Sequence, residues 1–189
     1  MIDKKFDPKK LKKLNNPQRL KDVPVEHILN KLDLEQSDVF VEIGAGTAFF
    51  SIAFLQQAKP SILYACDISK TMLSWIKENV IPDYPLIHPL QNHEASVPLS
   101  DGIANFVFMI HLHHELENPE QILDEAFRIL RTSGKVLVVD WKKLDMAEGP
   151  PIQIRCTPED VKSQMKNSGF KHIQISNELE KHFFVTGEK

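Results

Sequence analysis

Apolar residues in this chain repeat with two different periods. Short runs at residues 39–43 (V-F-V-E-I), 62–66 (I-L-Y-A-C), 104–110 (A-N-F-V-F-M-I) and 135–141 (K-V-L-V-V-D-W) are apolar at nearly every position. That is the pattern of strands covered on both faces, as in a parallel sheet. Between these runs the spacing becomes helical. Val25, Ile28, Leu29 and Leu32 make one stripe, and Met72, Leu73, Ile76 and Val80 a second. Ile122, Leu123, Ala126, Phe127, Ile129 and Leu130 make a wider third. Strands alternating with helices predict an α/β domain.

Local signals set the boundaries. A helix over residues 47–57 follows the first strand, and Ser69 caps the helix that runs to about Val80. Asn118-Pro119-Glu120-Gln121 starts the third-stripe helix with Asn as cap and Pro at the first helical position; Arg128, Arg131 and Gly134 are expected to close it. Thr157-Pro158-Glu159-Asp160 caps a last helix ending at Ser168-Gly169. Pro89 removes a ladder donor from a strand over residues 86–90, which suits a sheet edge. Residues 172–175 and 182–186 read as two closing strands. Residues 144–157, with Gly149-Pro150-Pro151, form a long aperiodic connection of the kind that serves as a lid. At the start, Phe6, Leu11, Leu14 and Leu20 are sparse anchors in a lysine-rich stretch with a turn at Asn15-Asn16-Pro17.

The chemistry concentrates after the first strand, in V-F-V-E-I-G-A-G-T-A-F-F-S over residues 39–51. Gly44 and Gly46 allow a sharp turn and bring bare backbone to a ligand, in front of helix N–H groups that face it. A dinucleotide fingerprint requires glycine at position 49, and Phe49 stands there. Glu42 would repel a pyrophosphate, whereas a carboxylate suits the cationic amino-acid end of S-adenosylmethionine. Asp67 follows the second strand about 20 residues beyond the glycines, where a carboxylate can accept both ribose hydroxyls. Glu42, Gly44, Gly46 and Asp67 together resemble motif I and the following acidic position of class I S-adenosylmethionine-dependent methyltransferases. Ala48 stands where members usually carry a third glycine, the mildest departure if the helix start tolerates a methyl group.

The resemblance extends over residues 25–189 and implies a Rossmann-like seven-stranded sheet of order 3-2-1-4-5-7-6, with strand 7 antiparallel and helices on both faces. R-I-L-R-T-S-G-K-V-L-V-V-D-W looks like the family's motif III region. Carried over by position, the cofactor-binding set is Glu42, Gly44, Ala45, Gly46, Thr47, Asp67, Ile68, His93, Glu94 and Ile110. Counted back from Pro98, His93 takes the adenine-contacting acid or amide position and Glu94 the next, with Asn92 as a substitute. The family places the segment after the fourth strand, His111-Leu112-His113-His114-Glu115, beside the transferable methyl group. His111, His114, Glu115, Asp140 and Lys142 are therefore the substrate-pocket candidates. A metal is not expected: in an extended segment His111 and His113 share a face while His114 points elsewhere, and no second Cys or His pair has ligand spacing.

Composition bounds the function. At 189 residues the chain fits one such domain, without room for a separate substrate module, so the cofactor fold must supply its own pocket. The charge of -3 and a pI near 6.2 give no reason to expect nucleic acid or an anionic membrane. Residues 1–22 nevertheless hold eight Lys or Arg against three Asp. Residues 1–24 are read as a basic arm, ordered only when packed over an occupied site and dispensable for cofactor affinity. The two cysteines, Cys66 and Cys156, suggest neither a disulfide framework nor a metal cluster, and argue against arsenic methylation, which would call for several reactive cysteines. The charged start and the absence of an apolar run of about 18 residues predict a cytoplasmic protein with no membrane span. The expected function is methyl transfer to an unidentified small molecule, in the ubiquinone/menaquinone-biosynthesis-like branch. The alternative is a cofactor-binding partner or regulatory subunit without catalysis, and nucleic-acid methylation guided by the arm is a third reading. Oligomeric state is not legible.

Overall fold

Strand β1 (Val39–Ile43) occupies the middle of a seven-stranded sheet. The computed structural model describes residues 11–32, 34 and 39–189, so Phe6 and the link 35–38 lie outside the described residues. The other strands are β2 (Ile62–Asp67), β3 (Ile87–Gln91), β4 (Ala104–Ile110), β5 (Leu130–Trp141), β6 (Lys171–Ser176) and β7 (His182–Glu188), in the order β3-β2-β1-β4-β5-β7-β6. β1 to β5 pair in parallel, while β7 is antiparallel to both β5 and β6. Pro89 lies on the edge strand, where its missing N–H costs no ladder bond. The order reverses between β1 and β4, which opens a crevice at the carboxyl ends of these strands.

Helices cover both faces. Alternate residues of the central strands point to opposite sides. Phe40, Phe106 and Phe108 pack with α3 (Val25–Leu32) and α4 (Phe49–Ala58), which contribute Ile28 and Phe54. Val41, Val107 and Met109 pack with Leu123 of α6 (Pro119–Ile129) and Met165 of α7 (Pro158–Asn167). All seven residues of β4 are buried, as the continuous apolar run requires. Between β2 and β3, α5 (Lys70–Asn79) begins with Ser69 accepting the Met72 N–H, and α7 begins with the full Thr157–Asp160 capping box.

Three local expectations are corrected. α4 starts at Phe49 rather than Thr47, because Ala48 is left-handed, at φ 58° and ψ 27°, and fully buried. Its methyl group fits the space but not the backbone, at a cost of about 1–2 kcal/mol that glycine would avoid. α6 stops at Ile129 without a glycine cap, and the Asn118 side chain makes no capping bond. The Lys189 ammonium donates to the carbonyls of Leu130 (2.8 Å) and Arg128 (3.3 Å) instead. Gly134 serves close packing, since a Cβ there would lie 2.8 Å from the Arg131 carbonyl.

The arm forms two short helices, α1 (Leu11–Leu14) and α2 (Gln18–Asp22), joined by the expected turn. Residues of both line the crevice.

Candidate active site

The turn after β1 is built from two left-handed glycines, Gly44 (φ 76°) and Gly46 (φ 55°). The N–H groups of Gly44 and Ala45 both donate to the Cys66 carbonyl at 2.9 Å, which folds the turn over the end of β2. Gly46 N–H donates to Asp67 Oδ2 at 2.7 Å, and Ser69 N–H to Oδ1 at 2.8 Å. Asp67 is thus fixed beside the turn with lone pairs to spare. Burial nonetheless raises its pKa, the backbone hydrogen bonds opposing the shift.

Glu42 lies one layer below, 2% exposed, and accepts the Ser51 hydroxyl. Burial pushes its carboxyl up to about 8, against the lowering effects of Ser51 and Arg19. Arg19 of α2 reaches in from the arm. Its guanidinium stands 4.7 Å from the Phe50 ring and 5.5 Å from Phe49, donates to the Leu14 carbonyl at 2.6 Å, and lies 3.4 Å from His111 Nδ1. Burial brings it down to about 10. Among the described residues no carboxylate forms a salt bridge with it.

After β4 the chain does not stay extended. His111 is left-handed (φ 58°) and His113–Glu115 form a 3-10 turn, so His111 and His113 do not share a face. His113 turns to Gln164 of α7 at 2.7 Å. His114 faces the cavity and is held from behind by Asp140, whose carboxylate accepts the His114 backbone N–H (2.9 Å) and its ring Nδ1–H (2.8 Å). Burial depresses the His114 pKa, but the Asp140 hydrogen bond and charge, with Glu115, outweigh it and leave the value raised.

A cavity of about 1370 Å³ joins these groups. Glu42, Gly44, Ala45, Gly46, Asp67, Ile68, Glu94, Ile110, His111, His114 and Glu115 all line it. Four expected site residues do not. Thr47 is 1% exposed and gives its hydroxyl to Asn15. His93 is turned out in a bridge with Ser96, while its neighbour Asn92 lines the cavity with a buried, unpaired Oδ1. Asp140 is wholly buried behind His114. Lys142 points away and donates to the Asn177 carbonyl at 2.8 Å. Arg19, Asp22 and His182 also line the cavity and were not expected. Nothing in the sequence marks them: His182 merely opens the apolar β7, and Arg19 is one basic residue among eight. Among the described residues, no three His, Cys, Asp or Glu side chains gather as a metal ion would need.

Residues 41–138 match the family described as methyltransferase domain. The chain belongs to that family. A crystal structure of a SAM-dependent methyltransferase from Aquifex aeolicus superposes on this methyltransferase domain with a TM-score of 0.89 at 26% identity, over 97% of this chain and 99% of that one. The tRNA N(3)-cytidine methyltransferase METTL2 of Gallus gallus is 25% identical over 57% of this chain and 31% of its own length. The arsenite methyltransferase of Halobacterium salinarum is 21% identical over 79% of this chain and 41% of its own. The chain therefore spans well under half the length of these curated relatives. S-adenosylmethionine is the cofactor of this class I methyltransferase domain. The site fits it: a glycine cradle where added side chains would collide, a buried carboxylate for a cation, and an orphan amide oxygen for an amino group.

Proposed function

We propose that this methyltransferase domain transfers the methyl group of S-adenosylmethionine to a small, partly apolar acceptor, and does so in the cytoplasm. The cavity carries the reading. Its volume of about 1370 Å³ exceeds the roughly 300–1,000 Å³ of single-ligand pockets, so cofactor and acceptor fit together. Arm residues Leu14 and Arg19 and loop residues Gly149 to Pro151 line it, and Lys181 joins arm and loop through Asp22 and Glu148, which suits a small acceptor better than a macromolecule. No helix among the described residues is long and apolar enough to cross a membrane.

The cofactor supplies an already activated sulfonium methyl group, so the protein's task is to orient and exclude water. Asp67, preset by Gly46 and Ser69, accepts the ribose hydroxyls. Asn92 Oδ1 accepts from the adenine amino group, with Ile68 against the ring. Glu42 compensates the ammonium, and Arg19, a buried cation that forms no salt bridge with a carboxylate among the described residues, takes the carboxylate of the same amino-acid end. His114, oriented by Asp140, and Glu115 face the acceptor side.

The relatives named for tRNA supply a second reading, a nucleobase as acceptor, with the basic arm meeting phosphates. Labelled S-adenosylmethionine incubated with a metabolite extract and, separately, with bulk tRNA decides between them. Label in a small molecule supports the proposal, and label in tRNA alone overturns it. Binding of S-adenosylhomocysteine without transfer to either would leave a cofactor-binding partner.

A further inference from the structure

His182 opens β7 with no exposed surface; one buried ring nitrogen is drawn to the Asp22 backbone carbonyl without a well-formed hydrogen bond, and the other has no partner. His111 Nε2 is buried and unpaired in the same way. The two rings stack at 4.5 Å with 29° between their planes, and Trp141 packs 4.3 Å from His182 and 5.2 Å from His111. All three side chains line the cavity. Folded proteins satisfy nearly all buried polar atoms, and two orphan nitrogens, one on each ring, on one wall of a cavity mark a place where a ligand supplies the partners.

The chemistry of that ligand follows from the rings. Arginine can only donate, so Arg19 beside Nδ1 makes that atom the acceptor and puts the His111 proton on Nε2, the unpaired atom. Burial lowers the pKa of both rings, that of His182 to about 4; Asp22 and Asp140 oppose this for His182, while Lys181 reinforces it. Arg19 and His114 act on His111 in the same lowering sense. Both imidazoles are therefore neutral at pH 7. His111 offers a donor, and His182, its N–H turned to the Asp22 carbonyl, offers a lone pair. A carboxylate or phosphate would use only donors and an ammonium only acceptors, whereas a hydroxyl uses one of each. The Trp141 face and the Phe50 ring, edge-on to His111 at 6.1 Å, give the pair a flat apolar backing, with Arg19 and Asp22 as its charged neighbours.

We propose that His111 and His182, backed by Trp141, form the acceptor subsite, and that it takes an uncharged aromatic hydroxyl, with His111 Nε2–H donating to the oxygen and His182 accepting the hydroxyl proton. This rests on the methyltransferase reading above and narrows its acceptor to a phenol class.

The test uses phenol and anisole, which share a shape while only phenol has the donor. Each is titrated into the full chain with and without S-adenosylhomocysteine, and the histidine ring nitrogens are followed by ¹⁵N NMR. Phenol should shift the ring signals of His182 and His111 and bind at least tenfold more tightly than anisole. His182→Phe should keep S-adenosylhomocysteine affinity and lose that preference, and His182→Gln, which restores a donor and an acceptor, should recover part of it. Equal binding of phenol and anisole, unmoved His182 signals, or a preference that survives in His182→Phe would overturn the subsite. If His182→Phe does not fold, the native titration and His182→Gln still decide. A native chain that ignores S-adenosylhomocysteine yet discriminates phenol from anisole would overturn the cofactor reading and leave the histidine pair standing.

Discussion

The Thr47 hydroxyl donates to the Asn15 side-chain oxygen across 2.9 Å, tying the glycine turn to the arm. Leu14 adds an apolar contact, its Cδ1 lying 3.2 Å from where a Cβ on Gly46 would stand. The arm thus lines the cavity beside the glycine turn, and a cofactor held by that turn would meet it. Deleting residues 1–21 should weaken S-adenosylhomocysteine binding at least tenfold by calorimetry. An unchanged affinity would return the arm to a lid over the acceptor alone.

Arg19 permits a sharper version of the same test. Arg19→Met keeps the apolar contact with Phe49 and Phe50 but removes the charge. S-adenosylhomocysteine should lose about 1.5–3 kcal/mol of binding, the range for hydrogen bonds to a charged group. Methylthioadenosine, which lacks the amino-acid end, should bind the variant as it binds the native protein. Equal losses for both ligands would mean that Arg19 only shapes the pocket.

Gly46 is left-handed and closely approached by Leu14. Gly46→Val places a branched side chain at φ 55°, where it is strained and pushes into both Leu14 and the cavity. Cofactor binding should disappear while the circular-dichroism spectrum stays native, because Gly46 itself is only half-buried and lines the cavity. Normal binding by a folded variant would leave the glycine a purely local role.

Asp67→Ala removes the acceptor for the Gly46 and Ser69 N–H groups and, on the proposed reading, the acceptor for the ribose hydroxyls. Binding of S-adenosylhomocysteine should fall by about 1.5–3 kcal/mol. Unaltered affinity in the calorimeter would rule out the ribose contact.

Glu42 makes stability depend on pH. Its carboxyl is raised by burial to about 8 in the folded protein, against about 4.3 in an unfolded chain. Between these values the folded state holds the extra proton, so the ligand-free protein should lose stability as pH rises from about 4.5 toward 8. Glu42→Gln removes that penalty and should raise stability at pH 8 by about 2–4 kcal/mol in urea titrations, while weakening the cofactor. If native protein and variant follow parallel stability curves, Glu42 is ionised at neutral pH.

Periodicity and turn residues determine much of this protein locally. Continuous apolar runs such as 104–110 have no solvent face and can only be central strands, and Gly44, Gly46 and Asp67 act within a few residues of their own strand ends. Resemblance carried the strand order, which pairing confirms. The proposed acceptor side was legible only where it follows β4, at His111, His114 and Glu115; the rest of the cavity wall comes from separate segments that only tertiary packing assembles. Arg19 arrives from the arm, His111 from the end of β4, Trp141 from β5 and His182 from β7, 163 positions after Arg19 along the chain. The assignment of Asp140 and Lys142 failed for the same reason. Both follow β5 at the correct sheet edge, but a strand turns successive side chains to opposite faces, and burial behind His114 takes one while the Asn177 carbonyl draws off the other. Left-handed backbone at His111 then rotated the histidine segment out of the alternation its spacing implied, with its N–H on the Val139 carbonyl and its ring stacked on Trp141 and His182.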